Sequence, residues 1–155
     1  MRMTLRLIVT AAVLTVTSSA TAVAATPCSF SPVGTWTGTV TRPGASDQIQ
    51  LAFGPSGRAC LITTMENEVT TSYGAWQQSG FLHFNYKIKE ALTDGNGTLL
   101  GWIHIDQDAV QQGSAFSSSG TSLVYDLAGN PQGSVTSYVT ATKTSSTPLS
   151  CAAHS

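Results

Sequence analysis

The chain has 155 residues, of which 41% are hydrophobic and only 10% are charged, with seven basic and eight acidic side chains. Residues 26–155, which follow a candidate leader, hold five basic and eight acidic residues and so carry a net charge near −3. This balance excludes an electropositive surface for nucleic acid or for an anionic membrane. The length suffices for one domain with one core.

The first 25 residues have the layout of a secretory signal peptide. Arg2 and Arg6 form a basic start, an apolar stretch covers about residues 7–16, and small residues fill positions 22–25. Polar residues end the apolar run before it reaches the roughly 20 residues needed to span a bilayer, which disfavours a membrane anchor. We therefore expect residues 1–25 to be removed and the protein to be secreted.

The rest of the chain has the composition of β-strands. Val, Ile, Thr, Tyr, Phe and Trp recur in short runs between Gly, Pro, Asn and Asp, and no segment has a sustained helical period. The runs predict eight strands, at residues 34–42, 47–54, 58–65, 69–77, 80–90, 98–108, 114–125 and 133–143. Because tight turns join them in sequence, we expect an all-β, eight-stranded up-and-down antiparallel β-barrel. The barrel domain would cover residues 26–143, followed by a Ser/Thr-rich tail at 144–155.

Period-two alternation assigns the faces of the second and fifth strands. Lys87 and Lys89 mark the outer face of the fifth strand, so residues of the other parity point inward. The side chains expected to face the lumen and contact a ligand are Leu51, Phe53, Leu82, Phe84, Tyr86 and Ile88. A barrel of this size either fills with side chains or holds one small ligand. Small or polar inward residues in the last two strands favour a cavity.

Glu90 and Tyr86 are the first candidates for chemistry inside the barrel. Glu90 is in phase with Tyr86 and is the carboxylate whose strand parity points it toward the lumen. A carboxyl group in apolar surroundings has a raised pKa and can act as a general acid or base, with the tyrosine hydroxyl as hydrogen-bond donor. The alternative is that Glu90 ends its strand in water.

His104, Asp106 and Asp108 alternate along the sixth strand. Residues two apart on a strand are roughly 6.5–7 Å from each other, too far to share a metal ion unless the strand bends, so we expect no metal and no other cofactor. Ile103 and Ile105 on the opposite face favour a solvent-facing polar row. If the faces are reversed, His104 and Asp106 become an interior acid–base pair, and the sequence leaves this choice open.

Two short stretches resemble a known superfamily. Gly34-Thr35-Trp36, at the start of the first strand, resembles the Gly-x-Trp signature of the calycins, which include lipocalins and avidins. In those families the tryptophan closes the bottom of the barrel under a basic residue from the last strand, for which Lys143 is the counterpart. Residues 93–102 (TDGNGTLLGW) are similar to the streptavidin branch. The chain has no tryptophan after Trp102, which argues against biotin as the ligand.

Cys28, Cys60 and Cys151 are expected near the bottom of the barrel, where any two of them can pair. We favour Cys28–Cys151, because the first and last strands adjoin in a closed barrel. The resemblance to lipocalins implies the alternative, Cys60–Cys151, which would attach the tail to the barrel wall. A structural bridge is favoured over a catalytic thiol, because a nucleophilic cysteine needs a base beside its thiolate.

These patterns favour a secreted barrel that binds a small, mostly apolar molecule in its lumen. The first alternative is a cofactor-free cyclase or isomerase that acts on a polyene or polyketide-type substrate inside the barrel. The second is a secreted inhibitor or interaction protein that acts through its rim loops. The sequence leaves open the identity of the ligand, the choice between enzyme and binder, and the oligomeric state.

Overall fold

The computed structural model describes residues 30–65 and 68–151; the expected signal peptide, Cys28 and the end of the tail lie outside the described residues. The described residues form eight strands: β1 (Gly34–Arg42), β2 (Ala45–Phe53), β3 (Arg58–Met65), β4 (Glu68–Gln78), β5 (His83–Thr93), β6 (Leu99–Gln112), β7 (Ala115–Asp126) and β8 (Pro131–Ser145). Each strand pairs antiparallel with the next, and β1 pairs with β8 to close the barrel. The predicted all-β, up-and-down architecture is confirmed. Within the described ranges, no helix is long and apolar enough to cross a membrane.

The ends of several strands differ from the prediction. β5 begins at His83, because Ser79 N and Gly80 N both donate to His83 O and fold residues 80–82 into a bend. β6 continues to Gln112 and turns into β7 over two residues, with Gly113 at a φ of 61°. A glycine reaches this left-handed conformation without steric cost, which permits so tight a hairpin.

Aromatic side chains fill the lower half of the lumen, where "bottom" denotes the end at which β1 begins. We call this cluster the aromatic plug; its members are Trp36, Phe53, Trp76, Phe84 and Phe116. The ring centroid of Phe53 lies 5.2 Å from that of Phe84, and the centroid of Trp36 lies 4.9 Å from that of Phe116. The rings meet edge to face, the arrangement that aromatic pairs prefer. The lower lumen is therefore packed and offers no room for a ligand.

The segment before β1 seals the bottom of the barrel. Trp36 Nε1 donates to Pro32 O at 2.7 Å, and Lys143 Nζ donates to Ser31 O and Val33 O, both at 3.0 Å. The Lys143 ammonium lies 4.8 Å from the centroid of the Trp36 ring. Burial lowers the pKa of Lys143. The tryptophan and the basic residue from the last strand thus have the relative placement that the calycin resemblance implied.

The tail after β8 crosses the bottom of the barrel wall to reach β3. Thr35 Oγ1 donates to Thr147 O at 2.9 Å and accepts from Leu149 N at 3.0 Å. These bonds carry the chain past β1, and Cys151 forms a disulfide with Cys60. The predicted Cys28–Cys151 pair is therefore wrong. The adjacency of β1 and β8 suggested it, but hydrogen bonds with Thr35 direct the tail across that pair of strands.

Candidate functional site

A cavity of about 180 Å³ occupies the upper half of the lumen, above the aromatic plug. Inward-facing side chains from seven of the eight strands line it. Its walls are mainly aliphatic and include Ile49, Leu61, Ile88, Ile103, Ile105 and Val139. Small inward residues of β7 and β8, such as Ser122 and Ser137, leave the space open. The cavity is therefore a mainly apolar chamber with charged side chains at its upper end.

The six residues expected to contact a ligand are divided between the cavity and the aromatic plug. Leu51, Tyr86 and Ile88 line the cavity. Phe53 and Phe84 face inward but are buried in the plug beneath it. The expectation for Leu82 is wrong, because it lies in the bend before β5 and does not line the cavity.

The orientation of β6 settles the alternative left open by the sequence. Ile103 and Ile105 line the cavity, and Ile105 pairs with Ile88 of β5. His104 and Asp106 are exposed on the outer face, where Asp106 Oδ2 lies 2.5 Å from the Lys87 ammonium. The reversed orientation, with His104 and Asp106 as an interior acid–base pair, is therefore wrong.

A chain of hydrogen bonds crosses the lumen and forms the polar floor of the cavity. Ser118 Oγ donates to Gln107 Oε1 at 2.9 Å, and Gln107 Nε2 donates to Ser137 Oγ at 3.0 Å. Because the serine hydrogen is engaged with Gln107, Tyr86 must be the donor in its 2.9 Å contact with Ser118. Burial raises the pKa of the Tyr86 hydroxyl, so it is a neutral donor at ordinary pH.

Of these floor residues, only Tyr86 was a sequence candidate. Gln107 shares the phase of Ile103 and Ile105 along β6, which was the available signal that it points inward. Ser118 and Ser137 resemble the other serines of β7 and β8 in sequence, and only the pairing of four strands brings them to Gln107. The floor thus combines β5, β6, β7 and β8 in one buried network.

Three charged side chains surround the mouth of the cavity at the top of the barrel. Arg42 of β1 forms an ion pair with Asp47 of β2, and their side chains are 40% and 41% exposed. Glu90 of β5 is half-buried and lines the cavity. Burial raises the pKa of Glu90, Arg42 opposes that rise and Asp47 adds to it.

Glu90 and Tyr86 lie at opposite ends of the cavity. Four residues along a strand separate their Cα atoms by about 13 Å. Their side chains therefore face different levels of the lumen. Among the described side chains, no group of three or more His, Cys, Asp or Glu residues is arranged to hold a metal ion.

The fold and the site define a class of protein: an all-β closed barrel of eight antiparallel strands, compatible with a calycin-like fold, with a small cavity at its upper end. No protein-family model matches the chain, and searches of curated proteins and of solved structures find no match either. The function is therefore argued from the geometry of the cavity.

Proposed function

We propose that the barrel binds one small, mostly apolar molecule in the upper half of its lumen. The cavity of about 180 Å³ above the aromatic plug carries this proposal. A dry cavity of about 150 Å³ with aliphatic walls is large enough to hold benzene. The matching ligand is therefore one ring with a short substituent, or a chain of similar bulk.

The polar floor adds one point of recognition deep in the cavity. Ser137 Oγ accepts from Gln107, and this bond leaves the hydroxyl hydrogen of Ser137 available to a ligand acceptor. Ser137 and Gln107 both line the cavity. A ligand with an oxygen at its inner end would replace its hydrogen bonds to water with a hydrogen bond to the polar floor. The apolar body of the ligand would cover the aliphatic walls and shield them from water.

Secretion and the calycin relationship are parts of the same proposal. The leader pattern of residues 1–25 and the Cys60–Cys151 disulfide support an extracellular location, because disulfides persist in oxidising compartments. The contact between Lys143 and Trp36 supports a calycin-like relationship. The bottom of such a barrel is structural, and ligand exchange takes place at the top.

A pair of neighbouring substitutions tests lumen binding. Ser122→Phe adds a ring inside the cavity, because Ser122 is buried and lines it, whereas Thr121→Phe adds the same ring on the exposed outer face. With 2-phenylethanol as the probe in isothermal titration calorimetry, we expect binding to wild type and to Thr121→Phe. Binding to Ser122→Phe should fall at least tenfold. Equal affinity of both variants, at matched thermal stability, would contradict the proposal.

The second candidate function is catalysis, and Glu90 is the observation that favours it. Its carboxyl group faces the cavity and has a raised pKa, as a general acid or base requires. The cavity restricts this candidate to a small substrate, since a folded polyene or polyketide of twenty or more carbons would exceed the size of ligand that fits. The third candidate, action through rim loops, draws no support from an open cavity.

Turnover can be separated from binding with the molecule that the protein carries. Native mass spectrometry of protein purified from its own host would give the mass of a bound molecule. That molecule, returned to fresh protein in deuterium oxide, should come back unchanged if the barrel is a binder. Conversion or deuterium incorporation with wild type, but not with Glu90→Gln, would favour the enzyme.

A further inference from the structure

We propose that the ligand of this cavity is a small amine, and that Glu90 receives its positively charged amino group at the mouth. The inference rests on the proposed function and names the chemical class of its ligand. The body of the amine would occupy the aliphatic chamber. Its head group would lie level with the three charged side chains at the top.

The pairing of charges at the mouth leaves Glu90 as the carboxylate available to a ligand. Arg42 is engaged with Asp47, and the hydrogen bonds and ion pairs of the described residues include none for the Glu90 carboxylate. The mouth therefore carries one positive and two negative charges when all three groups are ionised. A cation would neutralise this excess, whereas an anion would add to it.

The other strands place no further charge at this level among the described side chains. Arg42 from β1 and Asp47 from β2 are the charged groups that line the cavity with Glu90. The cavity-lining residues contributed near the mouth by the other strands are uncharged: Thr63, Ile103, Val124 and Val135. β4, which pairs with β5, contributes the buried Ser72. Glu90 thus has one cationic neighbour, and that neighbour already has a partner.

The half-buried position of Glu90 makes its preference for a cation stronger than that of a surface carboxylate. Water screens the charge less at the mouth than on the outer face. A hydrogen bond between an ammonium and a carboxylate is about twice as strong as a neutral one. A neutral ligand of the same shape would gain the apolar contacts but not this bond, so the amine should bind more tightly.

Three probes with the same ring test the charge preference directly. Phenethylamine is cationic, 2-phenylethanol is neutral and phenylacetate is anionic at pH 7. We expect wild type to bind the amine about tenfold more tightly than the alcohol, and phenylacetate most weakly, in isothermal titration calorimetry. In Glu90→Gln the preference for the amine over the alcohol should disappear. In Asp108→Asn, which removes an exposed carboxylate from the outer face of β6, the preference should remain.

The outcomes separate this inference from the function on which it rests. Equal binding of the three probes, or tightest binding of phenylacetate through release of Arg42 from Asp47, would overturn the inference and leave lumen binding in place. Failure of all three probes to bind would overturn both. A Glu90→Gln variant that keeps the full preference for the amine would also overturn the role assigned to Glu90, whatever its stability.

Discussion

At the scale of single residues, the position of Glu90 disfavours the charged form of its carboxyl group, because folding removes part of the surrounding water. Its pKa is raised by burial, so the folded protein holds this proton to higher pH than the unfolded chain does. The contribution of Glu90 to the free energy of unfolding is therefore largest below pH 4.5, the pKa of this group in the unfolded chain. That contribution is lost as the pH rises through the pKa of the folded protein. This carboxyl group at the cavity mouth therefore makes folding less favourable at neutral pH than below pH 4.5.

We predict that Glu90→Gln raises the free energy of unfolding at pH 7. The substitution removes the charge that burial disfavours, so the decline in stability as the pH rises above 4.5 should become shallower. Urea denaturation at a series of pH values measures both effects. Asp108→Asn, which removes an exposed carboxylate from the outer face of β6, is the matched control for the loss of one negative charge. If stability varied with pH in Glu90→Gln as it does in wild type, folding would not raise the pKa of the Glu90 carboxyl group, and the prediction would be wrong.

At the scale of elements, the disulfide attaches the tail to β3 at the bottom of the barrel. Cys60 and Cys151 are 91 residues apart, so their bond closes a long loop in the unfolded chain. A disulfide typically stabilises the folded state by about 2–4 kcal/mol, and the effect is larger for longer loops. The cavity lies at the opposite end of the barrel, above the aromatic plug.

We predict that the double substitution Cys60→Ala, Cys151→Ala lowers the free energy of unfolding by about 2–4 kcal/mol. Its affinity for 2-phenylethanol should stay within about twofold of wild type at a temperature where the variant remains folded, since the cavity lining is unchanged. Chemical denaturation and calorimetry measure the two quantities. A large loss of affinity in the folded variant would mean that the tail reaches the binding site.

Sequence periodicity correctly assigned the inward faces of β2 and β5 but could not give the height of their side chains in the barrel. Phe53 and Phe84 share the inward face with Leu51, Tyr86 and Ile88, yet they lie lower and belong to the plug. Height depends on the stagger between strands, which is set by pairing over long sequence distances. The same limit hid the floor network, whose four members come from four strands.

The path of the tail was equally inaccessible to a strand-order argument. Closure of the barrel correctly placed β1 beside β8 and so favoured Cys28–Cys151. The actual partner of Cys151 depends on two hydrogen bonds of Thr35, a residue that resembles every other threonine of β1 in sequence. Such contacts between a side chain and a distant backbone do not produce a repeating pattern of residue types, so they cannot be predicted from the sequence.

At the scale of the whole molecule, the two ends of the barrel differ in packing: the bottom is closed and the top is open. The bottom is closed by the segment before β1, by Lys143 over Trp36 and by the aromatic plug. The top retains a cavity of about 180 Å³ with charged side chains at its mouth. A packed lower half stabilises the barrel, and the ligand that we propose would enter the open upper half.

The central claim is that a small apolar molecule enters this upper cavity, and methyl NMR tests it most directly. With methyl-labelled protein and 2-phenylethanol as the titrant, we predict saturable shift changes at Ile88, Ile105 and Val139, which line the cavity. The methyl groups of the exposed Val69 and Leu127 should not move. Changes confined to the exposed methyl groups, or no saturable change at the three cavity residues, would contradict the claim.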